Sequence, residues 1–147
     1  MQGEYDLVHI VGIGALISVL TAQLFKPLVY FIQHREFKFL RVLDTGGMPS
    51  SHTALVTTLT VGVGVYQGVN STLFGITLIF SLYFIFEATG LRQEVGKQAK
   101  VLNEIIDKVS KTHHLDANEL RELIGHTWAE VLGGFALGLL VALILFF

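Results

Sequence analysis

Two histidines of this 147-residue chain, His52 and His126, stand in patterns suited to chemistry on an anion. His52 ends the run Gly46-Gly47-Met48-Pro49-Ser50-Ser51-His52, where a glycine turn meets a proline, two hydroxyls and then an apolar segment. Ser50 or Ser51 can cap the helix that starts there, and the N–H groups and dipole of a helix start favour an anion. His52 would stand beside that anion as a proton donor. Taken alone, the run also fits a capped helix start with an interfacial histidine.

His126 lies four residues before Glu130, so both side chains share one face of a helix. A carboxylate bonded to one ring nitrogen fixes the tautomer and leaves the other nitrogen as a nucleophile or base. A surface ion pair at a helix start is the plain alternative. However, Glu130 enters an apolar segment, where an ionisable group is costly and usually functional.

Further polar residues can complete a site around a phosphate. Counting 100° per residue, Arg92 and Asn103 fall within about 20° of each other on a helix, so both can face a membrane-side cleft. Lys97 projects to the opposite side, which also fits a solvated lysine. Arg121 lies five residues before His126, close to its face.

Two ionisable residues interrupt the apolar segments themselves. Lys26 either extends its ammonium group to the interface or points into a site. Glu87 is either functional or a structural partner of Lys26 or Arg92. Together with the histidines, these residues supply the cations, the nucleophile and the acid that phosphoryl transfer needs. No histidine pair has the helical spacing of a zinc site, and we expect neither a metal nor a cofactor.

The composition indicates an integral membrane protein. Hydrophobic residues make up 52% of the chain and charged residues 15%, and there is no cysteine. We predict an all-α membrane bundle, a single domain over 1–147, with about four spanning segments and a cytoplasmic amphipathic helix. The predicted segments run from Leu7 to Ile32, Thr53 to Tyr66, Leu73 to Leu91 and Thr127 to Phe147. The amphipathic helix follows from one apolar face at Val95, Ala99, Leu102, Ile106 and Val109.

The charges predict an orientation. All ten lysines and arginines fall in or beside the connections 33–48 and 92–125, which four crossings place on one side. The positive-inside bias puts both connections in the cytoplasm and both termini outside, which we expect in a bacterial cytoplasmic membrane.

Three ordered motifs resemble the divergent branch of the type 2 phosphatidic acid phosphatases, relatives of acid phosphatases and vanadium haloperoxidases. They are Gly46-Gly47-Met48-Pro49-Ser50-Ser51-His52, Gly96-Lys97-Gln98-Ala99 with Leu102-Asn103, and Gly125-His126-Thr127 with Glu130-Val131. The resemblance covers nearly the whole chain. It implies that the serine motif binds phosphate, that His52 protonates the leaving group, and that His126, oriented by Glu130, attacks phosphorus to give a phosphohistidine without a metal.

This sequence departs from the superfamily pattern at several points. The superfamily's first motif, a lysine followed by Arg-Pro, is not recognisable in this sequence. Lys26, Lys38 or Arg41 could take its role. Arg121 lies five rather than six residues before the histidine, and Glu130 replaces an aspartate. Ser51 stands where the superfamily has glycine, and Glu87 where relatives in the branch tend to have aspartate.

We therefore expect a lipid-phosphate phosphatase acting on a phosphomonoester at the cytoplasmic face, such as phosphatidylglycerophosphate or phosphatidic acid. Its expected partners are the bilayer and a phospholipid or other lipid-phosphate substrate; we expect no nucleic acid and leave homo-oligomer formation open. The expected catalytic residues are His126, His52 and Glu130, and the expected phosphate-binding residues are Ser50, Ser51, Arg92, Lys26, Arg121, Asn103 and Lys97. Glu87 is assigned a structural or metal-assisting role. The alternative is a non-catalytic lipid- or anion-binding membrane protein.

Overall fold

The computed structural model describes residues 2–44, 46–113 and 126–147, with the side chains of 9–44, 46–90, 94–108 and 126–147. Within these ranges it is all-helical, which confirms the predicted fold class. The helices are α1 (Gln2–His34), α2 (Ser51–Gln67), α3 (Thr72–Thr89), α4 (Leu91–His113) and α5 (Trp128–Phe146), and a short 3-10 helix spans Phe39–Leu43.

In the part of the chain that the structure describes, three helical stretches are long and apolar enough to cross a bilayer: His9–His34, Thr72–Lys108 and Trp128–Phe146. With 17 residues, α2 lies at the lower limit of the roughly 17–25 that a spanning helix needs. Because α2 packs against α1, α3 and α5, it forms the centre of the bundle.

Small residues let α1 and α5 approach α2 closely. Among the buried positions of α1 are Val11, Ala15, Ser18, Ala22 and Lys26, which recur at steps of three and four and so form one face. At the far end of the bundle, Phe146 of α5 fits against Gly14 of α1 and Gly62 of α2, where an added Cβ would lie 2.7 Å from its ring in both cases.

The connection between α2 and α3 is a tight turn. Gly68 adopts a positive φ of 81°, and the Ser71 hydroxyl caps α3 by accepting a hydrogen bond from the Phe74 N–H at 3.1 Å. These two helices therefore run antiparallel, as the short uncharged connection predicts.

The predicted amphipathic helix is present as α4, and its buried residues coincide only in part with the predicted apolar face. Gly96, Ala99 and Asn103 are buried, whereas Val95 and Leu102 are exposed. The smaller side chains allow α4 a closer approach than the larger aliphatic ones would.

Candidate active site

The start of α5 carries the central pair of the site. The Thr127 hydroxyl caps α5 by accepting from the Glu130 N–H at 3.3 Å. His126 precedes the cap, and its Nδ1 lies 2.7 Å from Oε2 of Glu130. Because a carboxylate only accepts, Nδ1 carries a proton, and in the neutral ring Nε2 then keeps its lone pair. The imidazole thus has the tautomer that a nucleophile or base requires.

Two backbone hydrogen bonds hold this pair against neighbouring helices. The His126 N–H donates to the Ala88 carbonyl in the last turn of α3 at 3.0 Å. The Ser50 N–H donates to the Glu130 carbonyl at 3.0 Å, which joins the start of α2 to the first turn of α5. Both partners of the His126–Glu130 pair are therefore fixed through their own main chain.

The second histidine reaches the same place from α2. The rings of His52 and His126 lie 5.9 Å apart between centroids and are inclined at 58°. Gly47, with a φ of 90°, lies in the turn that precedes α2. Two imidazoles at this separation can contact one phosphate group from adjacent sides. His126 is only 1% exposed in this structure, so a substrate reaches its Nε2 only after the covering side chains move.

The serines of the His52 motif are buried at the helix start. Ser50 caps α2, because its Oγ accepts from the Thr53 N–H at 3.3 Å and from the Thr53 hydroxyl at 3.1 Å. This confirms the predicted cap and identifies Ser50 as the capping residue. Ser51 begins α2 and is also buried. Both hydroxyls lie within two residues of His52, at the end of α2 where the dipole favours an anion.

Lys26 is a buried cation that interacts with one member of the central pair. It belongs to the packed face of α1, is 3% exposed, and its Nζ donates to the Asp44 carbonyl at 2.5 Å. It also interacts electrostatically with Glu130. The ammonium group therefore points into the bundle rather than out to the interface, which settles the orientation that the sequence left open.

Lys38 and Arg41, which could also replace the missing first motif, lie on the outer side of the connection. Arg41 donates to the Asp44 carboxylate at 2.7 Å and stacks 4.3 Å from the Tyr30 ring centre, and the bond to Asp44 raises the pKa of its guanidinium. A hydrogen bond to Glu36, followed by one to Tyr30, raises the pKa of Lys38. Both groups thus remain cationic well above neutral pH.

The other predicted residues belong to α3, to α4 and to the chain that follows α4. Lys97 is exposed on α4 and pairs with Glu94 at 2.5 Å, as its position opposite the apolar face predicts. Asn103 is buried on α4, and Glu87 is half-buried one residue before Ala88. Arg92 lies in the first turn of α4, but its side chain is outside the described part of the chain. Arg121 lies wholly outside the described residues.

The sequence analysis did not identify several residues that hold the site in place. An added Cβ on Gly134 would collide with the Ser50 carbonyl oxygen, and one on Gly138 would lie 2.5 Å from the Ala54 carbonyl oxygen. The spacing Gly134-x-x-x-Gly138 is the small-residue signal that marks close helix approach in membranes, and it was available in the sequence. The carbonyls of Ala88 and Asp44 carried no such signal, because every residue has one.

Comparison with known proteins agrees with this architecture. The family model described as "Divergent PAP2 family" matches residues 9–141. The chain is 35% identical over 144 residues to the uncharacterized membrane protein YuiD of Bacillus subtilis (strain 168), covering 90% of this chain and 91% of that protein. No solved structure matches. This integral membrane protein therefore belongs to the divergent PAP2 family.

Proposed function

We propose that the protein is a membrane lipid-phosphate phosphatase that hydrolyses a phosphomonoester through a phosphohistidine at His126. The observation that carries this proposal is the buried His126–Glu130 pair with the His52 ring 5.9 Å away. Family membership suggests the phosphatase relationship at a coarser level.

The first step uses the two histidines in opposite roles. Nε2 of His126 attacks phosphorus, the bond from phosphorus to the ester oxygen breaks, and His52 gives a proton to the departing alcohol. His126 becomes cationic as the bond forms, and Glu130 stabilises that charge through the Nδ1 hydrogen bond. Lys26, within electrostatic range of Glu130, adds positive potential close to the developing phosphoryl charge.

The second step regenerates the enzyme. Water attacks the phosphohistidine, His52 takes a proton from that water, and the phosphorus–nitrogen bond breaks to release inorganic phosphate. The proton on Nδ1 stays in place throughout because Glu130 accepts its hydrogen bond. The N-terminal end of α2, with Ser50 and Ser51, supplies dipole stabilisation for the anion.

The orientation of the site follows from the charges. The cationic connections adjoin the ends of α1, α2 and α3 that carry Lys26, His52 and Ala88, and the positive-inside bias assigns this end to the cytoplasm. A substrate made on the inner leaflet, such as phosphatidylglycerophosphate or phosphatidic acid, fits that orientation.

The test is phosphate release from a panel of lipid phosphates by protein purified into lipid nanodiscs. We expect release by the wild type, loss of at least about a thousandfold in His126→Ala, and no change in His34→Ala, which removes an exposed histidine. A phosphorylated adduct that is acid-labile and absent from His126→Ala would identify the intermediate. Equal release by His126→Ala would reject the nucleophile. Tight vanadate binding without turnover would favour the non-catalytic anion binder.

A further inference from the structure

A groove between α2 and α3 opens beside His52. Its volume is about 410 Å³, within the range of small-molecule sites, and it is partly open along its length. Leu55 and Leu59 of α2 line one wall, and Ile76 and Phe80 of α3 line the other.

The groove runs along α2, away from the candidate site. Its α2 positions begin at His52 and end at Leu59, one helix face over about 10 Å. Beyond that point the helices close on each other, because an added Cβ on Gly64 would lie 3.0 Å from the Phe74 ring. The groove therefore starts at the candidate site and ends near the middle of α2.

The floor of the groove presents hydrocarbon rather than polar groups. The Thr77 hydroxyl donates to the Leu73 carbonyl at 2.8 Å, and the Ser81 hydroxyl lies 2.8 Å from the Thr77 carbonyl and 2.7 Å from the Thr60 hydroxyl. Both hydroxyls are thus engaged within the protein. An apolar groove with an imidazole at one end fits a ligand that has a hydrocarbon chain at one end and a phosphate at the other.

We propose that this groove holds the first part of the hydrocarbon chain of a lipid phosphate whose phosphate lies between His52 and His126. The inference rests on the proposed function and assigns the position of the substrate's hydrocarbon chain in the bundle. Its main support is continuity, because His52 both lines the groove and faces His126. A groove of about 10 Å takes only the proximal part of a long chain, and the remainder lies in the bilayer.

In this proposal the groove acts by orienting the substrate. Lipid tails are as apolar as the groove wall, so transferring the chain from the bilayer gains little free energy. Holding the chain along α2 instead fixes the direction from which the phosphate ester meets Nε2 of His126, which lowers the entropic part of the barrier. The effect is therefore expected in the relative reactivity of chain-bearing and chain-free esters.

The experiment compares two isoleucines of α3 that differ in whether they line the groove. Ile76 lines it at 52% exposure, whereas Ile79 is 65% exposed and does not. Ile76→Trp and Ile79→Trp are reconstituted in phosphatidylcholine vesicles. Each is assayed for phosphate release from long-chain phosphatidic acid and from glycerol phosphate, and is labelled with an alkyl phosphonate that carries a diazirine in its chain.

We expect Ile76→Trp to lower the long-chain to chain-free rate ratio about tenfold, and Ile79→Trp to leave it unchanged. The diazirine should label α2 and α3 near Leu59 and Ile76, with labelling competed by unlabelled alkyl phosphonate and lost in Ile76→Trp. Uniform labelling of the outer helix faces, or equal behaviour of both variants, overturns the groove assignment. Because the phosphonate is not hydrolysed, groove labelling without any phosphate release would reject the proposed hydrolysis alone, and release without labelling would reject the groove alone.

Discussion

The two sides of α2 pack in opposite ways. Towards α5, Gly134 and Gly138 bring the helix backbones into direct contact, and the Thr58 hydroxyl donates to the Gly138 carbonyl at 2.9 Å. Towards α3, large side chains such as Leu59 and Phe80 stand apart and leave a groove. His52 lies where the two sides meet.

The difference in packing between the two sides matches two requirements of the proposed hydrolase. Reacting groups need fixed positions, which close backbone contact and main-chain hydrogen bonds provide. A lipid substrate needs a path from the bilayer, which a loosely packed helix pair provides. One short helix can meet both requirements because opposite faces of a helix pack independently.

Glu130→Gln removes the charge on the closely packed side without changing the shape. We expect kcat for phosphate release to fall by about 10³–10⁴-fold, because an amide cannot stabilise the cationic imidazole that forms during attack. The matched control is Glu36→Gln, which changes an exposed carboxylate paired with Lys38 and should leave kcat unaltered. If Glu130→Gln is equally harmless, the pair serves only the architecture of the bundle.

Gly134→Ala tests whether close packing sets the distance between the histidines. The new Cβ meets the Ser50 carbonyl oxygen, a backbone atom that cannot rotate away, so α5 must move from α2. The displacement of α5 should lower phosphate release about a hundredfold and lower the midpoint temperature of thermal unfolding.

Gly75→Ala is the control for this displacement, since a Cβ on that α3 residue meets nothing within 4 Å. It should keep both activity and thermal midpoint. A fully active Gly134→Ala would show that the α2–α5 distance is not critical.

Lys26→Met removes the buried ammonium group while keeping a long apolar side chain. We expect phosphate release to fall about tenfold or more, because the site loses positive potential where the phosphoryl charge develops. Lys38→Met removes an exposed lysine of the adjoining connection and should change the rate less than about twofold. The reverse order would assign the role of the missing first motif to the outer cations.

The sequence predicted the helices well because apolar length and periodicity dominate in this chain. The predicted segment from Thr53 to Tyr66 corresponds to α2, and that from Leu73 to Leu91 to α3, with small differences at the ends. Local pattern also predicted the cap at Ser50. Hydropathy predicted the apolar face of α4 but not which of its residues are buried, since Gly96 and Ala99 are buried whereas Val95 and Leu102 are exposed.

The site combines one local contact with several contacts that no local pattern encodes. The spacing of His126 and Glu130 predicted their pairing, although His126 lies before the N-cap of α5 rather than on the predicted helix face. The approach of His52 to His126 joins positions 74 residues apart and was inferred only from the family resemblance. The path of Lys26 to the Asp44 carbonyl depends on how the connection folds back over α1, which hydropathy does not determine.

The smallest expected effect is on the free energy of unfolding, when a single hydroxyl is removed from either side of α2. Thr58→Val removes the donor to the Gly138 carbonyl and should lower the free energy of unfolding by about 0.5–1.5 kcal/mol. Ser81→Ala should cost less than about 0.5 kcal/mol, because the Thr60 hydroxyl still donates to the Val56 carbonyl at 2.7 Å and no buried group loses its last partner. Denaturant titration of both variants in one detergent measures the difference. A larger loss in Ser81→Ala would make the α2–α3 contact the more stabilising one, and the groove could not then be the loosely packed side of the bundle.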